Sequence, residues 1–126
     1  MLSASGIIKD YSQRVLHGID LDVAAGEFVV IMGPSGSGKT TLLHMLSGMD
    51  RPTAGTVMLG GRELTGLGER ELADVRLRHI GFVFQEPHLL QSLDLRDNIV
   101  LPGLLAGERP RGEIVARAEE LMTDIG

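Results

Sequence analysis

Gly33-Pro34-Ser35-Gly36-Ser37-Gly38-Lys39-Thr40 fits the pattern G-x-x-x-x-G-K-[ST], with Thr41 directly behind it. A phosphate needs several donors converging from one side. Backbone N–H groups converge in this way only where the chain curls tightly, and Gly33, Gly36 and Gly38 permit that. Lys39 adds a positive charge on a long stem. A helix starting here would turn its unpaired N–H groups and the positive end of its dipole toward the anion. Thr40 supplies a small hydroxyl of the kind that sits on Mg²⁺ while the metal bridges two phosphates. At average glycine usage the pattern arises by chance on the order of a percent of the time or less in a chain of this size. A glycine-rich turn before a helix is therefore the weaker explanation.

The flanks strengthen the reading. Phe28-Val29-Val30-Ile31-Met32 is an unbroken apolar run directly before the loop, and predicts a strand buried on both faces, as in a parallel sheet. Leu42, Met45, Leu46 and Met49 follow at helical spacing. Upstream, Val15, His17, Ile19, Leu21 and Val23 alternate with Gly18, Asp20 and Asp22, a half-buried strand. Ile7–Tyr11 predicts an opening strand, joined to it by a short turn at Ser12-Gln13-Arg14, so the chain starts as an antiparallel sheet edge. Downstream, Gly48 stops the loop helix, Asp50–Gly55 is turn chemistry, and Thr56–Leu59 is a short strand closed by Gly60-Gly61. A polar helix is expected over Glu69–Arg78, acidic in its first turn and basic in its last. Ile80–Phe84 is a second apolar strand, ending on Gln85. Asp94 caps a helix that runs to about Leu101, where Pro102-Gly103 intervenes. A last amphipathic helix carries Ile114, Ala118, Leu121 and Ile125 on one face and ends at Gly126.

Composition narrows the function classes. With 43% apolar and 23% charged residues in 126, the chain is one globular unit of ordinary size. Its formal charge is −5 and only Lys9 and Lys39 are lysines, so it carries no electrostatic footprint for nucleic acid or an anionic membrane. The absence of cysteine excludes disulfides, thiol catalysis and thiolate metal sites. No apolar run approaches the roughly 18 residues that cross a bilayer, and no signal peptide is visible at the start. The four histidines, His17, His44, His79 and His88, form no i, i+4 metal pair.

Two further residues stand out. Gln85 closes an apolar strand, and ligands in parallel α/β sheets gather at the carboxyl ends of strands. Its amide is either an exposed strand terminus or a group that binds Mg²⁺ or holds a water. Tyr11, the only tyrosine, reads first as a surface-strand residue and second as a ring that stacks on a nucleobase.

Together these pieces resemble the ATPases of ATP-binding cassette (ABC) transporters, in the branch serving lipoprotein release and macrolide export. The matching segments are Tyr11 with Val15-Leu16-His17-Gly18-Ile19, Gly26-Glu27-Phe28, the Gly33–Thr41 loop, Pro52-Thr53-Ala54-Gly55 and Ile80–Gln85, in order and spacing from about Ile7 to Asn98. The resemblance implies an α/β fold of the P-loop NTPase, ABC ATPase type, with an N-terminal antiparallel β subdomain and the start of a helical subdomain, truncated. It implies ATP and Mg²⁺ as ligands. Tyr11 resembles the A-loop aromatic that stacks on adenine, and Gly33, Pro34, Ser35, Gly36, Ser37, Gly38, Lys39, Thr40 and Thr41 resemble the Walker A loop. In that likeness Lys39 sits on the β and γ phosphates and Thr40 on the metal, while Gln85 is similar to the Q-loop glutamine that senses Mg²⁺ and the attacking water. Glu86–Leu90 is where such subunits meet a membrane-spanning partner, and a second ATPase subunit completes the site. The location implied is peripheral, on the cytoplasmic face of the membrane, through that partner.

The signature sequence, the Walker B acids and the switch histidine of the family are not found in these 126 residues. Leu46-Ser47-Gly48 superficially starts like the signature but lies in the loop helix. Residues 1–126 therefore look like a partial nucleotide-binding domain with no complete catalytic set. The expectation is an ATP-binding subunit, or a fragment of one, that couples MgATP binding and hydrolysis to transport. A non-catalytic nucleotide-binding fragment and a soluble P-loop kinase or GTPase are the alternatives; the latter leaves Tyr11 and Gln85 unexplained and shows no N-K-x-D motif.

Overall fold

A computed structural model describes residues 1–125; the expected helix end at Gly126 lies outside them. The chain divides into two units, 1–76 and 77–126. In the first, β1 (Leu2–Asp10) and β2 (Arg14–Val23) form the expected hairpin, followed by α1 (Lys39–Leu46), β3 (Ala54–Leu59) and β4 (Arg62–Glu63). α2 (Glu69–His79) starts in this unit and runs into the next. The second unit holds α3 (Leu95–Ala106) and α4 (Arg111–Ile125).

The sheet order is β2-β1-β3-β4, every neighbouring pair antiparallel. β1 is central because the hairpin gives it β2 on one side, and the Asp50–Gly55 turn returns the chain to its other side, pairing Leu2 with Leu59 and Ala4 with Val57. Ala4, Ile7, Leu16 and Val57 are buried; Ala4 and Ile7, three positions apart, are both buried across a register irregularity in β1, and Leu16 rather than His17 is buried in β2. Met45 of α1, Leu64 and Leu72 are also buried and line one small gap together. Arg76 reaches back to donate to the Gly48 carbonyl, tying α2 to the turn after α1. Gly48 stops α1 as expected, with φ 65; the helical register ends at Leu46, so Met49 lies beyond it.

Two expected strands do not form. Residues 28–32 and 80–84 belong to no ladder among the described residues. Nor are the apolar side chains buried: Phe28 is 89% exposed, Met32 84% and Val83 96%. An apolar run becomes a strand only when neighbours supply both hydrogen-bond partners and a cover. The sheet that exists is built entirely from the antiparallel segments on either side of the loop helix.

In the second unit, Asp94 caps α3 as expected, accepting from the Asp97 amide at 2.7 Å. The expected stop at Pro102 is overruled, and the helix continues to Ala106. Proline removes one N–H and normally breaks a helix at a cost of about 3 kcal/mol. Here the turn that contains it is held against α4. Val100 packs with Ile114 and Ala118, and Gly103 lies so close that a Cβ there would come within 2.8 Å of Ile114 Cγ2. Arg96–Glu119 at 2.7 Å adds an exposed link between the two helices.

Candidate functional site

The glycine loop runs from the exposed end of the 28–32 segment into α1. Gly38 is the N-cap, with φ 87 in the left-handed region. A Cβ there would meet Leu16 Cδ2 at 2.9 Å and the Val15 carbonyl at 3.2 Å. Glycine is thus required twice, by the turn and by the approach of β2. No side chain caps α1 and no acid lies in its first turn. The first N–H groups of a helix have no partner within it, so these amides and the dipole face outward.

Lys39, the first residue of α1, folds back over the loop. Its ammonium donates to the Gly33 carbonyl at 2.8 Å, the Pro34 carbonyl at 2.7 Å and the Ser37 hydroxyl at 3.5 Å. The Ser37 amide donates to the Pro34 carbonyl at 3.3 Å, closing the curl. Beside it is a cleft of about 170 Å³ lined by Val15, Gly36, Gly38, Lys39, Thr40 and Thr41. An uncapped helix start, a cation at the loop and a hydroxyl-bearing wall suit an anion carrying a divalent metal. Thr40 is exposed beside the cleft, available as a hydroxyl ligand.

Tyr11 sits at the β1–β2 turn, 56% exposed. Its hydroxyl donates to Asp50 Oδ2 at 2.8 Å. That bond, burial and the Asp50 charge hold its phenol above the usual tyrosine value, with the Thr41 hydroxyl opposing. Burial pushes the Asp50 carboxyl up, but hydrogen bonds from Lys9, Tyr11 and the Arg51 amide, with the Lys9 charge, take it below the ordinary carboxylate range.

Gln85 belongs to the second unit, exposed at a bend after the 80–84 segment. Around it Phe82, Phe84 and His88 stack in sequence, with centroids 4.6 and 4.4 Å apart. His88 Nδ1 lies 2.8 Å from the Glu86 carbonyl. Glu86–Leu90 is exposed, with Leu89 at 59% and Leu90 at 49%. Sequence reasoning missed three residues here: Lys9, Asp50 and the loop-binding Asn98. None lies in a motif, and no local pattern marks them.

Sheet, glycine loop and helix in this order define a phosphate-loop architecture. The profile of the family described as ABC transporter matches residues 16–126, and the chain belongs to that family. It is 44% identical over 131 residues to the lipoprotein-releasing system ATP-binding protein LolD of Chromohalobacter salexigens, covering 100% of this chain and 55% of that one. It is 46% identical over 113 residues to the macrolide export ATP-binding/permease protein MacB of Nitrosomonas europaea, covering 90% of this chain and 17% of the relative. The expected branch is therefore the one these relatives occupy. The ATP-binding cassette MJ0796, solved as a dimer in a post-hydrolysis state bound to ADP and Pi, superposes with a TM-score of 0.88 at 35% identity, over 95% of this chain and 55% of that one. The chain thus spans about half the length of the LolD relative and of the solved cassette. Among the described residues no helix is long and apolar enough to cross a membrane.

Proposed function

We propose that residues 1–126 are part of a nucleotide-binding domain that holds MgATP and couples it to transport by a membrane-spanning partner. The observation that carries this is the Lys39 ammonium held by loop oxygens at an uncapped helix start. In this reading Lys39 exchanges the Gly33 and Pro34 carbonyls for phosphate oxygens, and the amides of the Gly33–Thr41 loop complete the cradle. Thr40 and Gln85 serve the metal. Mg²⁺, when bound, neutralises charge on the phosphates. Tyr11 stacks on adenine. Glu86–Leu90, with its exposed leucines, is the docking segment for the membrane partner, and a second ATPase subunit closes over the nucleotide. The chain then works at the cytoplasmic face of a membrane, held there by that partner.

Titration calorimetry of MgATP against the chain and its Lys39→Ala variant tests the reading. Removing a charged hydrogen-bond donor costs about 1.5–3 kcal/mol, so affinity falls roughly ten- to hundredfold. Equal affinity in both chains would sink it. A preference for GTP over ATP would turn the assignment toward a soluble GTPase.

A further inference from the structure

Lys9 is only 9% exposed. Its ammonium donates to Asp50 Oδ1 at 2.9 Å and to the Arg51 carbonyl at 2.6 Å. The same ammonium stands 4.8 Å from the centroid of the Tyr11 ring. Asp50 uses its second oxygen to accept from the Tyr11 hydroxyl at 2.8 Å. One carboxylate therefore binds both a buried cation and a phenol, and the cation lies against a face of that phenol. A ring has two faces. With the ammonium on one and the ring 56% exposed, the opposite face is the one that meets solvent.

A bare ion pair joining β1 to the turn after α1 would serve stability without touching Tyr11. Here the pair fixes the ring at two points, its hydroxyl and its face. A side chain ordered before its ligand arrives loses less freedom on binding. We propose that Lys9 and Asp50 are positioning residues that fix the Tyr11 ring, with Lys9 backing one face so that a purine base stacks on the other. This rests on the reading of Tyr11 as the adenine platform.

The chain has one tyrosine and no tryptophan, so its ultraviolet emission reports Tyr11 alone. The experiment measures binding of MgATP and of magnesium tripolyphosphate to the chain and to Asp50→Ala, Lys9→Met, Tyr11→Phe and Tyr11→Ala, with tyrosine emission followed where the ring remains. Tyr11→Ala should weaken MgATP by roughly three- to tenfold, the ordinary worth of an aromatic stack, and leave tripolyphosphate unchanged. Asp50→Ala and Lys9→Met should reproduce about half or more of that loss on a logarithmic scale, again for MgATP only. Neither should weaken MgATP further when added to Tyr11→Ala. Emission should rise in Asp50→Ala as the carboxylate leaves the hydroxyl, and MgATP but not tripolyphosphate should quench it in the unaltered chain. Tyr11→Phe keeps the ring and the ion pair and removes only the bond to Asp50. It keeps the test decisive if a charge variant fails to fold, with about a twofold loss expected for MgATP alone.

Equal losses for MgATP and tripolyphosphate would make the pair merely structural and overturn the proposal. So would unaltered MgATP affinity in Asp50→Ala, Lys9→Met and Tyr11→Phe while Tyr11→Ala loses affinity; the platform would then survive without its supports. Unchanged MgATP binding in Tyr11→Ala would remove the adenine platform itself.

Discussion

Asn98 holds Leu90 from both sides: the Leu90 amide donates to Asn98 Oδ1 at 2.8 Å, and Asn98 Nδ2 donates back to the Leu90 carbonyl at 3.1 Å. The same Nδ2 reaches the Leu93 carbonyl at 3.2 Å and the Asp94 carbonyl at 2.8 Å. A residue in the first turns of α3 thus shapes the loop that ends the proposed docking segment. Asn98→Ala should loosen this loop by about 1–2 kcal/mol, since several polar groups lose one partner together. Hydrogen exchange at Leu90 should quicken while MgATP affinity stays as it was. Unchanged exchange there would show that the loop keeps its shape without Asn98.

Tyr11 should titrate late. Its bond to Asp50, with burial and the Asp50 charge, raises the phenol above the ordinary tyrosine value. The unfolded chain then loses its phenolic proton first. This contribution to stability is present below the unfolded value and is lost as pH rises through the folded one. Absorbance of the phenolate, which reports one residue in this chain, should show a midpoint above that of free tyrosine. Asp50→Ala should bring the midpoint down. A midpoint indifferent to Asp50 would contradict the bond.

Gly38→Ala should do two kinds of damage. The left-handed φ of 87 disfavours any Cβ, and the new atom would press on Leu16 and the Val15 carbonyl. A loss of about 1–3 kcal/mol is expected in denaturant unfolding, with weaker MgATP binding. Full stability in the variant would mean that β2 moves away without cost.

Phe28 and Met32 expose apolar surface beside the loop, at 89% and 84%. An exposed apolar segment with no ladder partner invites association with another copy. Replacing both with serine should slow aggregation several-fold, as seen by light scattering at raised concentration, without loss of MgATP binding. Identical scattering from both chains would place the sticky surface elsewhere.

Turnover should be at background for the 126-residue chain on its own. The resemblance implies acids and a histidine, serving water and metal, that find no match in residues 1–126, and each positioned acid–base group is worth about 10²–10⁴ in rate. Phosphate release measured beside Lys39→Ala should show no difference between the two. A robust rate abolished by that substitution would show that the catalytic set is supplied by residues of this chain.

Much of the first unit was legible because short-range patterns decide it. The alternation at Val15–Val23 holds from Ile19 to Val23, but at the start of β2 Leu16 is buried and His17 exposed, because the ladder slips between the Ile7–Ile19 and Ile8–His17 pairs. In the second unit, Asp94 and Asp97 likewise sit at the spacing of a cap, and the cap forms. Phe28–Met32 and Ile80–Phe84 were equally plain as apolar runs. Becoming a strand, though, depends on distant neighbours, which no local pattern reveals. β4 is only Arg62–Glu63, too short for any periodicity. Pro102 misled because its rule is local, whereas the contact of Gly103 with Ile114 is tertiary. In the site, the loop was readable from its glycines and Lys39. The Lys9–Asp50 pair was not, since 41 positions separate the two residues.

The posture of Lys39 has a calorimetric consequence. Its ammonium already gives its hydrogens to Gly33, Pro34 and Ser37. An arriving anion does not add bonds to a bare cation; it takes over bonds already made. The heat released should be smaller than a count of phosphate contacts suggests, and freed loop carbonyls must find water or metal in exchange. The lysine is a resident counterion, holding the loop in shape until a stronger set of oxygens displaces its own.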